Sequence, residues 1–135
     1  ENLTIGDSIL SYSPKTNKFF PSKIKRLASP LHNNLVRIHL SNGDSITCTK
    51  DHPILSKENI FLSFSPLKTL SLYKYDEVQK LEIGSSLRHI NGIVKVIKIE
   101  SIPLSIQTYT IVELEDSNIF IANRILVGTE TLKKE

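Results

Sequence analysis

The chain has little of the material that most readily announces a function. It holds one cysteine, Cys48, in 135 residues, so no internal disulfide can form and no Cys-rich zinc site can be assembled. Apolar runs are short. The longest, Ile119-Phe120-Ile121-Ala122, has four residues, where a membrane-spanning helix needs about 20. A signal-peptide core needs about 7–15. No membrane partner is expected. Charge of one sign is barely in excess, 17 Lys plus Arg against 14 Asp plus Glu, and a pI near 9.0 falls short of a nucleic-acid-binding surface. Lys23, Lys25 and Arg26, with Lys95 and Lys98, read as solvated strand faces, so nucleic acid is not an expected partner. The length fits one domain over residues 1–135, expected to be a monomer, and 39% hydrophobic residues suffice for a single core.

What is present reads as strand. Short stretches alternate apolar and polar residues and are cut by Gly, Pro, Asn or Ser. Val36, Ile38 and Leu40 alternate with Arg37 and His39, the next stretch runs Asp44–Thr49, and Asn42-Gly43 between them suits a primed hairpin turn. Asn91-Gly92 is expected to make a second such turn, joining Leu87–Ile90 to Ile93–Ile99, where the apolar phase slips between Val96 and Ile97 as a bulge would allow. Thr108–Leu114 and Ile119–Val127 supply further strands. A short helix is expected around Asp76–Lys80, residues 56–75 read as an irregular connection, and 130–135 reads as a frayed tail. The fold class is all-β.

An internal repeat adds symmetry. Leu3-Thr4-Ile5-Gly6-Asp7-Ser8 overlays Leu81-Glu82-Ile83-Gly84-Ser85-Ser86, matching at four of six positions. Pro30-Leu31 then meets Pro103-Leu104, Leu35–Leu40 meets Tyr109–Leu114, and Ile46–Thr49 meets Phe120–Asn123. Two such units are too few for a solenoid and predict one β domain with a pseudo-twofold axis and any site between its halves.

Thr49-Lys50-Asp51-His52-Pro53 offers a hydroxyl and an imidazole three residues apart where a strand leaves its sheet. Histidine is the usual general acid or base near neutral pH, and Pro53 biases His52 toward extended backbone. On its own this spacing reads as structural, a threonine closing a turn beside a partly buried histidine. Cys48 alternates with Thr49 and reads as a small core residue beside Ile46. His32, His39, Cys48 and His52 form no dense metal motif, so neither metal nor cofactor is expected.

Four stretches resemble the Hint module shared by inteins and hedgehog autoprocessing domains. LTIGDSILSYSPKTNKF resembles the family's Leu-x-x-Gly-Asp-x-Val-Leu segment, and VRIHLSNGDSITCTKDHPIL its strand leading into Thr-x-x-His-Pro. LEIGSSL resembles the second Leu-x-x-Gly-Asp element, and TYTIVELEDSNIFIANRILV the closing strands. The resemblance covers nearly the whole chain and implies a Hint-type pseudo-twofold β fold. It also implies an N-terminal acyl shift, in which a Cys, Ser or Thr attacks the preceding carbonyl and turns an amide into a thioester or ester. The family's catalytic Thr and His fall on Thr49, as orienting or oxyanion group, and His52, as proton donor.

Other positions depart from the pattern. Glu1-Asn2-Leu3 offers no nucleophile, so the first strand is expected upstream or supplied in trans as a complementary N-terminal segment. The substrate is then the chain's own flanking polypeptide. Gly128-Thr129 stands where inteins close with His-Asn, so Asn cyclisation is not expected. The acidic residue usual early in the penultimate strand is replaced by Ile111, or by Thr110 with a one-residue slip. A catalytically inert Hint-like scaffold or interaction module is the alternative reading.

Overall fold

The computed structural model describes residues 3–29, 31–107 and 110–133. Glu1, Asn2, Pro30, Thr108, Tyr109, Lys134 and Glu135 lie outside them, and so do the expectations placed on those residues. The first half runs β1 (Ser8–Ser13), β2 (Lys18–Ala28), β3 (Leu31–His32), β4 (Leu35–Leu40) and β5 (Ser45–Thr49). A middle segment follows with β6 (Ile54–Leu55), β7 (Phe61–Ser63), α1 (Pro66–Leu72) and β8 (Val78–Lys80). The second half repeats the first as β9 (Ser86–His89), β10 (Gly92–Ile102), β11 (Ile106–Gln107), β12 (Thr110–Leu114) and β13 (Ile119–Ala122), and β14 (Ile125–Gly128) closes it. The architecture is all-β apart from α1.

The two halves are built alike at the level of single hydrogen bonds. Gly6 N donates to Ile24 O and Ile24 N to Asp7 O, while Gly84 N donates to Val96 O and Val96 N to Ser85 O. Gly6 and Gly84 sit at φ of 97° and 96°, a left-handed bend that glycine adopts without a Cβ penalty. The halves also exchange partners: β2 pairs with β12, and β10 with β4. In β10 the register shifts between Val96 and Lys98, as the apolar phase predicts, because a bulge turns Ile97 outward while Val94 and Val96 stay buried. The counterpart pairing places Ile24 opposite Leu114 and Arg26 opposite Glu113, so a shift recurs at the equivalent point. The core between the halves is filled by Ile24, Val36, Ile38, Leu87, Val96 and Ile111, among others.

Several local expectations need correction. The β4–β5 hairpin forms, but only Gly43 of its turn has positive φ, and Gly43 N bonds Leu40 O. The loop is a three-residue turn ending in a left-handed glycine, not a primed pair. Between β9 and β10 the pairing of His89 with Gly92 makes Ile90-Asn91 the two-residue loop. The primed turn occurs elsewhere, at Asn123-Arg124 between β13 and β14, with φ of 50° and 69°. Residues 56–75 are not irregular, for they hold β7 and α1, a helix opened by Pro66 and too short to display a 3.6-residue period. Residues 76–80 give no helix, because β8 is drawn into parallel pairing with β7. The tail is not frayed over its described part: Glu130 is buried, Leu132 bridges Tyr73 and Lys133 N bonds Leu72 O.

Candidate functional site

Thr49 ends β5, and the chain turns at once, His52 N donating to Thr49 O at 3.2 Å. This turn is clamped from several sides. Asp51, only 3% exposed, accepts from the Tyr73 hydroxyl at 2.8 Å and from Asn34 Nδ2 at 3.2 Å. The Thr69 hydroxyl of α1 donates to Asp51 O at 2.7 Å, and Gly128 N of β14 donates to Pro53 O at 2.9 Å. A buried carboxylate is costly unless it is hydrogen-bonded or paired, and the bonds made here fix the backbone that carries His52.

Thr49 and His52 come together on a cavity of about 210 Å³ between the halves, lined also by His32, Cys48, Thr110 and Phe120. His52 stands edge-on to Phe120, their rings 6.2 Å apart and inclined by 82°. The Thr49 hydroxyl is buried and has no hydrogen-bond partner among the described residues. Such an orphaned donor costs about 1–3 kcal/mol of folding stability, and so uncommon a group calls for an explanation. Cys48 lines the same cavity rather than facing away from it. Burial, then the Glu130 and Asp51 carboxylates, push its thiol up to about 12, so it is a poor nucleophile. His39 lies apart, 2.6 Å from Glu100. Among the described residues no group of three or more His, Cys, Asp or Glu could hold a metal ion.

One residue of the site was not legible in the sequence. Glu130, just past β14, places Oε2 3.2 Å from His52 Nδ1, an ion-pair contact that does not meet hydrogen-bond geometry. Its Oε1 accepts from the Thr110 hydroxyl at 2.9 Å. Burial alone would raise its carboxyl, but the charge and contact of His52, with the Thr110 bond, outweigh that and hold it below the ordinary carboxylate value. The one available signal was the β-branched alternation Val127, Thr129, Thr131, which continues extended chain through this residue. Thr110 thus holds a carboxylate that arrives from outside its own strand. Against the same wall, a groove of about 370 Å³ is lined by Leu3, Ile9, Leu10, Leu27 and Ile111 and shares Thr110, Phe120, Ala122 and Asn123 with the cavity.

At Gly128 the space is closed. An added Cβ would meet Tyr75 Oη at 2.3 Å, Phe61 Cε1 at 2.9 Å and Pro53 Cγ at 3.0 Å.

No protein-family profile and no curated protein matches the chain. Solved structures do. A bacterial intein-like domain from Clostridium thermocellum superposes with a TM-score of 0.72 at 20% identity, over 95% of this chain and 85% of that one. A gp41-1 intein variant gives 0.71 at 21%, over 95% and 84%. A DnaB intein from Synechocystis gives 0.69 at 16%, over 93% and 80%. With the pseudo-twofold hydrogen bonding and the exchanged strands, these likenesses establish that the chain has the intein-type Hint fold.

Proposed function

We propose that this chain is an autoprocessing domain that promotes an amide-to-(thio)ester acyl shift at a peptide bond N-terminal to Glu1, without Asn cyclisation. The observation that carries the reading is the buried Thr49 hydroxyl, without a hydrogen-bond partner among the described residues, on a residue that lines the same cavity as His52. A buried donor with no internal partner is suited to an oxygen that becomes negative only during reaction, where it is worth more than in water. The apolar groove beside it suits an extended N-terminal segment, in cis or in trans, that would lay the scissile peptide against Thr49 and His52.

The chemistry balances with these residues. A side-chain hydroxyl or thiol at the junction adds to the preceding carbonyl and passes its proton to His52, and the oxyanion takes a hydrogen bond from Thr49. His52 protonates the departing amide nitrogen, the C–N bond breaks, and a free amine and a (thio)ester remain. Water or an external thiol then attacks the (thio)ester carbonyl, and the junction nucleophile leaves with a proton. Cleavage rather than splicing is supported by Thr129, which cannot cyclise as asparagine does, and by Gly128, where no side chain fits.

The test is the intact mass of the chain carrying its natural upstream sequence, incubated with and without thiol beside its His52→Ala variant. Fragments that accumulate faster with thiol and require His52 are expected. An unchanged mass in both would overturn the reading in favour of an inert Hint-like scaffold.

A further inference from the structure

The pairing of Glu130 with His52 is more specific than burial requires. A carboxylate satisfied by hydrogen bonds would be sufficiently accounted for as structure, as Asp51 is by Tyr73 and Asn34. Glu130 is divided instead. Oε1 is tied to Thr110, Glu130 N is tied to Ile111 O at 3.3 Å, and Oε2 is left without a hydrogen bond, facing His52 Nδ1. The backbone and one oxygen are anchored on β12, so the second oxygen is delivered to the imidazole in a fixed place.

We propose that Glu130 is the positioning residue of His52, anchored by Thr110 so that the imidazole keeps Nδ1–H toward the carboxylate and presents Nε2 to the cavity. This rests on the reading of His52 as the proton donor. The imidazole is 87% buried by its side chain's 13% exposure, and the edge-on Phe120 ring limits its rotation. A neutral imidazole has one N–H, and a carboxylate beside Nδ1 decides which nitrogen bears it. Nε2, turned to the cavity, is then the nitrogen that can take up a proton and hand it on. The other ionisable groups of the surroundings are His32, Cys48, Asp51, Tyr73 and Tyr75. Burial and the nearby carboxylates push the thiol and both phenols up, which keeps them neutral. Asp51 is occupied by Tyr73 and Asn34, so Glu130 is the carboxylate directed at His52.

The test is ¹⁵N NMR of the histidine-labelled chain across about pH 5–9, which needs no cleavage. His52 is expected as the Nδ1–H form in the unaltered chain, and in Glu130→Gln the proton should spread onto Nε2. Thr110→Val keeps the carboxylate but frees it, and should move the balance toward Nε2 by less. A proton on Nε2 in the unaltered chain, or a tautomer balance unmoved in Glu130→Gln, would overturn the proposal. If Glu130→Gln does not fold, the form seen in the unaltered chain and the Thr110→Val balance still decide. In the chain with its upstream sequence, Glu130→Gln should slow cleavage about tenfold and shift its pH profile. The expected NMR behaviour without any cleavage would remove the autoprocessing reading and leave the positioning role standing. Cleavage unchanged in rate and pH profile would remove the positioning role instead.

Discussion

Replacing Gly128 by alanine tests whether the end of β14 is sealed by packing. Gly128 does not have positive φ, so the backbone accepts alanine and any cost comes from space. The new methyl would meet Tyr75 Oη at 2.3 Å, well inside contact distance, and Phe61 and Pro53 at about the limit. Overpacking of this kind costs about 1–3 kcal/mol. If Tyr75 swings aside, its 2.6 Å hydrogen bond to Thr129 O is lost as well, for about 1 kcal/mol more. Gly128→Ala should therefore lose about 2–4 kcal/mol, read from the shift in urea midpoint at unchanged slope. Tyr75→Phe alone should cost about 1 kcal/mol, and because it removes the clashing oxygen, the double variant should be less damaged than the sum by about 1–2 kcal/mol. Additive losses, or a neutral Gly128→Ala, would refute the reasoning. A larger side chain, such as histidine, should be tolerated still less.

Other expectations follow from the same geometry. Thr49→Val should leave stability within about 1 kcal/mol or improve it, because it removes an unpaired buried hydroxyl. It should slow cleavage about 10²–10³-fold, as measured by unfolding and by fragment mass. Glu130 is held below its ordinary value of 4.5, so the stability it contributes is fully present above that pH and is lost as the pH falls through its folded value. Acid titration of unfolding should flatten in Glu130→Gln. Added salt should spare this contribution while weakening those of the more accessible Glu100 and Glu113 pairs. Arg124→Gly should raise the melting temperature by a few degrees, since Arg124 occupies a left-handed position costing about 1–2 kcal/mol. Its 3.7 Å ion pair with Asp44 is exposed and worth little.

Features that depend on neighbours in sequence were legible in it. The β4–β5 hairpin, the phase slip after Val96 and the Gly6/Gly84 equivalence are local, and each left a pattern of apolar spacing or a glycine. Thr49 and His52 could be singled out because both belong to one turn. The clamp on that turn could not, because Asp51 meets Tyr73 and Asn34 only through the fold, and α1 is too short to show helical spacing. Glu130 sits in a polar stretch that reads as tail. Its burial is set by Thr110, Ile111 and His52, none of which the residues around it announce.

The exchange of strands between the halves makes each half the template of the other. β2 finds its outer partner in β12 and β4 finds its in β10, and the Arg26–Glu113 contact that marks one of these seams joins residues 87 apart. Such remote pairings cost loop-closure entropy before they return any stabilisation, which places folding in the slow, milliseconds-to-seconds range of non-local β topologies. A half expressed alone would expose unpaired strand edges, and two halves cut apart within the middle segment should assemble by mutual strand donation rather than by docking of finished pieces.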